Sequence, residues 1–120
     1  MLIFGLNPFK NALNENNVMH LLDKVTVMTV DPGYAGQPFI PEMLAKITQL
    51  HQLKETGSLR FLLEVDGSCN RNTYRALLGA GAQILVMGSS GLFRADMPLE
   101  LAWETMSREL SAALHSPELV

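Results

Sequence analysis

Four short segments of this 120-residue chain combine residues that do chemistry with the glycines and prolines that end regular structure: Asn7-Pro8, Asp31-Pro32-Gly33-Tyr34-Ala35-Gly36-Gln37, Asp66-Gly67-Ser68 and Gly88-Ser89-Ser90-Gly91. Each follows a short apolar run. In Gly88-Ser89-Ser90-Gly91 the small residues let backbone N–H groups approach an anion, and a following helix N-terminus adds partial positive charge. The same composition also suits a plain strand-to-helix turn. Asp66 closes an apolar run, where a carboxylate can act as a general base, a metal ligand or both, or can simply cap the next helix. The two glycines after Asp31 allow a loop that folds over a ligand as a lid, or an ordinary surface connection.

The remaining reactive side chains point away from chemistry. His20 and His51 fall in helical stretches and His115 lies near the C-terminus, with no spacing that puts two on one helix face to hold a metal. Cys69 is the only cysteine. No histidine is placed to activate it, so it reads as a packing or helix-start residue. It permits no internal disulfide, which suits a reducing cytoplasm. Met43, Met97 and Met106 read as core filler, whereas Met28 sits late in a strand that ends at the candidate mouth.

The elements that must position these loops alternate. Leu2–Leu6 reads as a buried strand stopped by Asn7-Pro8. Leu13–Leu22 is moderately helical. Val25–Val30, β-branched and nearly free of charge, reads as a strand buried on both faces. Pro41–Leu53 repeats Leu44, Ile47, Leu50 and Leu53 at helical spacing, with Gly57 after its end. Phe61–Val65 is a third strand, Asn72–Ala80 a short helix closed by Gly79 or Gly81, and Gln83–Met87 a fourth strand. Leu99–Leu114 is the last helix, with Leu101, Trp103, Met106, Leu110 and Leu114 expected to face inward. The β-α-β-α-β-α-β-α order predicts a parallel sheet with right-handed crossovers. It fits either part of an eight-stranded (β/α) barrel or a small doubly wound sheet. A full barrel takes about 250 residues, so four of its units need about 125.

Composition narrows the classes of function. The chain carries a net charge of −3 and is 48% hydrophobic and 18% charged. Nothing basic is clustered, which argues against nucleic acid. No apolar run reaches the roughly 20 residues of a membrane helix, and the first ten residues lack the charged start of a signal peptide.

Taken together, the motifs resemble a known family. Val27-Met28-Thr29-Val30-Asp31-Pro32-Gly33-Tyr34-Ala35-Gly36-Gln37-Pro38-Phe39 is similar to the signature after the sixth strand of ribulose-phosphate 3-epimerases. Glu64-Val65-Asp66-Gly67-Ser68 resembles their seventh strand end. Ala80-Gly81-Ala82 through Gly88-Ser89-Ser90 resembles their eighth strand and phosphate loop, and Leu6-Asn7-Pro8 the end of their fifth. The resemblance implies an α/β chain forming the C-terminal half, four βα units corresponding to strands 5–8, of a TIM (β/α)8 barrel of the ribulose-phosphate-binding type. Ser68-Cys69-Asn70, Asp31 and Ser89-Ser90-Gly91-Leu92-Phe93 look more like the allulose-6-phosphate branch than the pentose enzymes, which usually carry Asp-Gly-Gly where this chain has Asp66-Gly67-Ser68.

The reaction so implied interconverts D-allulose 6-phosphate and D-fructose 6-phosphate, with ribulose 5-phosphate epimerisation or a non-catalytic phosphate-binding or barrel-completing role as alternatives. Asp66 would be a ligand of a divalent cation (zinc, iron, manganese or cobalt) and one of two acid/base carboxylates working on opposite faces of C3. Gly33, Tyr34, Ala35 and Gly36 would form the substrate loop, Gly67 and Ser68 would touch substrate, Gly88 and Ser89 would hold its phosphate, and Met28 would pack over the enediolate. The family's other ligands, two histidines and an aspartate from earlier strands, have no counterpart here. The isolated chain is therefore expected to be inactive. Its open edges should drive self-association or recruit a missing N-terminal half.

Overall fold

The computed structural model describes residues 3–6, 19–31 and 36–115. Four strands, β1 (Ile3–Leu6), β2 (Lys24–Met28), β3 (Leu62–Asp66) and β4 (Ile84–Val86), form one parallel sheet in the order β1-β2-β3-β4. Three α-helices lie between and after them: α1 (Met43–Gly57), α2 (Tyr74–Ala80) and α3 (Leu99–Leu114). A 3-10 turn, Met19–Leu21, leads into β2. The helix expected over Leu13–Leu22 otherwise lies outside the described residues.

All three helices cover the same face of the sheet. Val25, Val27, Leu63 and Val65 are fully buried in one core with Ile47 and Leu50 of α1, Tyr74 and Leu77 of α2, and Ala102 and Met106 of α3. Neighbours in sequence are neighbours in the sheet, and the two crossovers that the described residues include, β2 to β3 and β3 to β4, fall on one side. A doubly wound sheet would place helices on both faces, so that alternative is set aside.

The strand β2 is consequently not buried on both faces as its composition predicts. Val25 and Val27 are buried, but Lys24, Thr26 and Met28 alternate with them and are only half-buried. No described element covers that second face. The same alternation puts Leu62, Glu64 and Asp66 of β3 beside Lys24, Thr26 and Met28 in register.

Helix ends account for two further differences. The helix α1 runs to Gly57, and Ser58, at φ 52, is the left-handed residue that stops it, its N–H bonding to the Lys54 carbonyl. At the end of α2 the left-handed residue is Gly81 (φ 118), with Gly81 N–H to Leu78 O at 3.1 Å and Ala82 N–H to Leu77 O at 3.1 Å. This double bond is the usual glycine-dependent helix stop. A Cβ on Gly81 would stand 2.6 Å from Cγ of His51, so His51 is a packing residue that seats α1 on the end of α2.

The helix α3 spans the residues expected, but its inward face is narrower. Ala102 and Met106 are buried and Leu110 is half-buried, whereas Leu101, Trp103 and Leu114 are exposed, Trp103 to 58%. Glu109, Ala112 and Ala113 face α2 across a groove. At 100° per residue, Leu99, Trp103 and Leu114 fall on the flank turned away from α2, where Leu99 and Trp103 line a shallow opening with Leu92 and Phe93 and all three stay more than half exposed. Met106→Ala is therefore expected to cost about 2–5 kcal/mol in urea unfolding.

Candidate functional site

The C-terminal ends of the four strands lie on one edge of the sheet, because the strands are parallel. Asp66 ends β3, in register with Met28 on one side and Val86 on the other. Its side chain shares the open face with Glu64, two residues earlier. Glu64 is firmly held: the Thr26 hydroxyl donates to its Oε2 at 2.6 Å, and Lys24 Nζ lies 3.0 Å from the same oxygen. Burial favours the neutral acid of Glu64, yet the Thr26 hydroxyl and the Lys24 ammonium outweigh it and keep the carboxyl below its ordinary range. Asp66 has no such partner among the described residues. Burial, and then the negative charge on Glu64, push its carboxyl above the ordinary range. A carboxyl with raised proton affinity at a strand end is suited to proton transfer.

Thr29, fully buried, joins the loop after β2 to this strand end. Its N–H donates to Asp66 O at 3.0 Å, its hydroxyl to Gly67 O at 2.5 Å, and its own carbonyl accepts from Ile40 N–H at 2.8 Å. Thr29 thus pins the start of the loop between β2 and α1 at Asp66-Gly67 and ties the loop's end, at Ile40, to its own carbonyl. Gly36 adopts φ 84 with open space around it, as a loop glycine should. Gly33, Tyr34 and Ala35 lie outside the described residues.

The loop after β3 is tightly made. Gly67 has φ 133, and a Cβ there would stand 2.8 Å from Val30 Cγ2. Ser68 is also left-handed, at φ 51, an unusual state for a residue with a side chain. Its hydroxyl donates to Gln37 O at 2.9 Å, so its proton is engaged with the loop after β2, and a ligand acceptor is left the Ser68 N–H. Cys69 is buried, and burial raises its thiol to about 11. It is a packing residue, not a nucleophile.

After β4, the carbonyl of Gly88 accepts N–H bonds from Gly91, Leu92 and Phe93. This closes a turn in which the N–H groups of Ser89 and Ser90 have no acceptor among the described residues, and both residues are exposed. Gly91 passes so close to the preceding loop that its Cβ would meet the Cys69 carbonyl, whereas Gly88 faces open space. Beside these turns opens a cavity of about 380 Å³ whose wall includes Asn70, Arg71, Ser89, Ser90 and Arg94. Arg94 is bound through two nitrogens to Asp96, at 2.9 and 2.7 Å.

The described residues therefore bring Met28, Gly36, Asp66, Gly67, Ser68, Gly88 and Ser89 to one edge of the sheet. They contain no group of three His, Cys, Asp or Glu side chains able to hold a metal ion. His20 and His115 are exposed, away from these loops in sequence, and His51 packs on Gly81.

Residues 2–93 match the ribulose-phosphate 3 epimerase family. The chain belongs to that family. It is 33% identical over 99 residues to the ribulose-phosphate 3-epimerase of Mycobacterium tuberculosis (strain ATCC 25618 / H37Rv), covering 82% of this chain and 43% of the relative. It is 39% identical over 92 residues to that of Bacillus subtilis (strain 168), covering 76% and 42%. It is 41% identical over 85 residues to that of Synechocystis sp. (strain ATCC 27184 / PCC 6803 / Kazusa), covering 71% and 37%. The chain thus spans about two-fifths of the length of the epimerases it matches. Its relatives are isomerases by name, and no described helix is long and apolar enough to cross a membrane.

Some residues that tie these loops together escaped sequence reasoning. Thr29, Gln37 and Asn70 act through backbone carbonyls and neighbouring hydroxyls, so their residue types alone announce nothing. Lys24 and Glu64 did carry a signal: two charges inside otherwise apolar strands, in register once the sheet is paired.

Two tests follow from this geometry. The Glu64 carboxyl is lower in the folded chain than its unfolded value of about 4.3, so the stability it adds is present above that value and lost as pH falls through the folded one. Glu64→Gln is expected to cost about 1 kcal/mol at pH 7, with the gap from wild type closing below about pH 4, read by urea titration. Gly91→Ala is expected to cost about 1–3 kcal/mol through the clash with Cys69 O, while Gly88→Ala folds normally.

Proposed function

We propose that the chain forms the C-terminal four βα units of a (β/α)8 barrel whose reaction is epimerisation at C3 of a ketose phosphate. The observation that carries this reading is Asp66: a carboxyl of raised proton affinity at the end of a central strand, flanked by the loops after β2 and β4. Barrel enzymes place their chemistry at this end of the strands, and their phosphate sites after the last two strands. The Ser89 and Ser90 N–H groups suit a phosphate as a turn of free backbone donors; the helix N-terminus expected to follow them is absent, since α3 begins only at Leu99.

In this reading Asp66 exchanges one proton at C3 of the substrate. Epimerisation removes the C3 proton from one face, leaving an enediolate, and returns a proton to the other face. One carboxyl cannot reach both faces, so a second acid/base group must come from elsewhere in the barrel. Met28, beside Asp66, would pack against the planar intermediate. The loop from Asp31 through Gly33, Tyr34, Ala35 and Gly36 to Gln37 would close over it. A divalent cation with Asp66 as one ligand would lower the energy of the enediolate, but the described residues do not provide the rest of its coordination shell. Within the family, Ser68-Cys69-Asn70 and Asp31 favour D-allulose 6-phosphate as substrate. Ribulose 5-phosphate is the alternative, and the relatives' name, ribulose-phosphate 3-epimerase, leans that way.

The uncovered parts of the fold suit completion by further βα units, which the matched epimerases have length to carry. The free edge of β4 would take a parallel strand, and the Leu99-Trp103-Leu114 flank of α3 would take its helix. The 120-residue chain by itself is expected to show no turnover of allulose 6-phosphate or ribulose 5-phosphate with zinc, iron, manganese or cobalt supplied. Metal-dependent turnover by that chain alone would refute the need for a second half. Inorganic phosphate is nevertheless expected to bind it, with chemical shifts moving at Gly88–Ser90. Shifts confined to other regions would remove the phosphate assignment.

A further inference from the structure

We infer that Asn70 is a positioning residue for the phosphate loop, an inference that rests on the phosphate reading of Gly88-Ser89-Ser90. Asn70 is itself oriented by two bonds, one on its side chain and one on its backbone. Its Oδ1 accepts the Asn72 N–H at 2.9 Å, fixing the side chain across the start of α2. Its backbone N–H donates to the Thr73 hydroxyl at 3.0 Å, and that hydroxyl donates to Ser68 O at 2.7 Å. Thr73 is buried, so this anchor belongs to the core and not to the mobile surface. With Oδ1 so placed, the amide nitrogen of Asn70 points across the gap between the two loops. It donates to Ser68 O at 3.2 Å and to Ser90 Oγ at 3.0 Å.

The bond to Ser90 is the polar side-chain tie between the loop after β3 and the turn after β4. The backbone contact of Gly91 with Cys69 O sets how near the two loops pass, but a single close approach leaves the turn free to pivot about it. A second tie one residue earlier, at Ser90, removes that freedom. It fixes the direction of the Ser89 and Ser90 N–H groups, which must converge on one anion to bind it well. Asn70 therefore acts on the ligand through Ser90, without touching it. A serine rather than a glycine at position 90 has a use in this account: its hydroxyl is the acceptor.

The test is a double-mutant cycle on the whole chain, reading the dissociation constant for inorganic phosphate by titration and overall stability by urea unfolding. Ser90→Ala removes the acceptor at an exposed position. It should leave the urea midpoint unchanged and weaken phosphate about fivefold, the value of one hydrogen bond. Asn70→Ala should weaken phosphate at least as much, and the double variant no more than Asn70→Ala alone. Ser90→Ala binding phosphate like wild type, or strictly additive losses in the cycle, would overturn the positioning role while leaving the phosphate site standing. Wild type that binds no phosphate would instead overturn the phosphate reading, and the role of Asn70 with it.

Discussion

A parallel sheet whose helices all lie on one face leaves its other face without a layer, and parallel sheets are ordinarily covered on both. Here that second face carries Lys24, Thr26, Glu64 and Asp66 in adjacent rows. The Lys24–Glu64 pair, with side chains 24% and 12% exposed, supplies its own counter-charge, so the face is tolerable without a layer over it. It is not a surface designed for bulk water, since Leu62 and Val86 share it and are exposed. Closing the sheet on itself covers such a face without adding a layer, and eight strands enclose an interior just wide enough for side chains to fill. Four sequential strands with helices on one side would supply half of that arrangement.

The loop after β3 connects the functional end of the sheet. Thr29 holds the loop after β2 against Asp66 and Gly67, Ser68 holds Gln37, and Asn70 holds Ser90. Two left-handed residues in succession, Gly67 and Ser68, make this possible by turning their carbonyls and side chains toward both neighbours. The left-handed state of Ser68 has a cost of about 1–2 kcal/mol that a glycine would avoid. Its hydroxyl bond to Gln37 offsets part of that cost and gives the serine a role.

Most of the element order was legible from the chain because apolar runs, turn residues and helical spacing agree. The four strands, the limits of α3 and the packing role of Cys69 all follow from local pattern. What pattern could not supply was which faces meet. Val25–Val30 reads as buried throughout since nothing in its composition distinguishes the helix-covered face from the open one. Leu101, Trp103 and Leu114 read as inward because hydrophobicity marks a surface that must be covered, without saying by what. The site divides in the same way. Asp66, Gly67, Gly88 and Ser89 stand out by type and position at strand ends. Thr29, Gln37 and Asn70 matter only through partners 20 to 38 residues distant, which no local motif records.

The central claim is that this fold is half of a closed barrel. It is tested most directly by the native mass of the protein in solution, measured alongside its unfolding. The account predicts a species heavier than 13.2 kDa, either a self-associated form or a complex with further βα units, in which Trp103 becomes shielded from solvent quenchers. A stable 13.2 kDa monomer with a sharp, cooperative unfolding transition and a freely quenched Trp103 would contradict it.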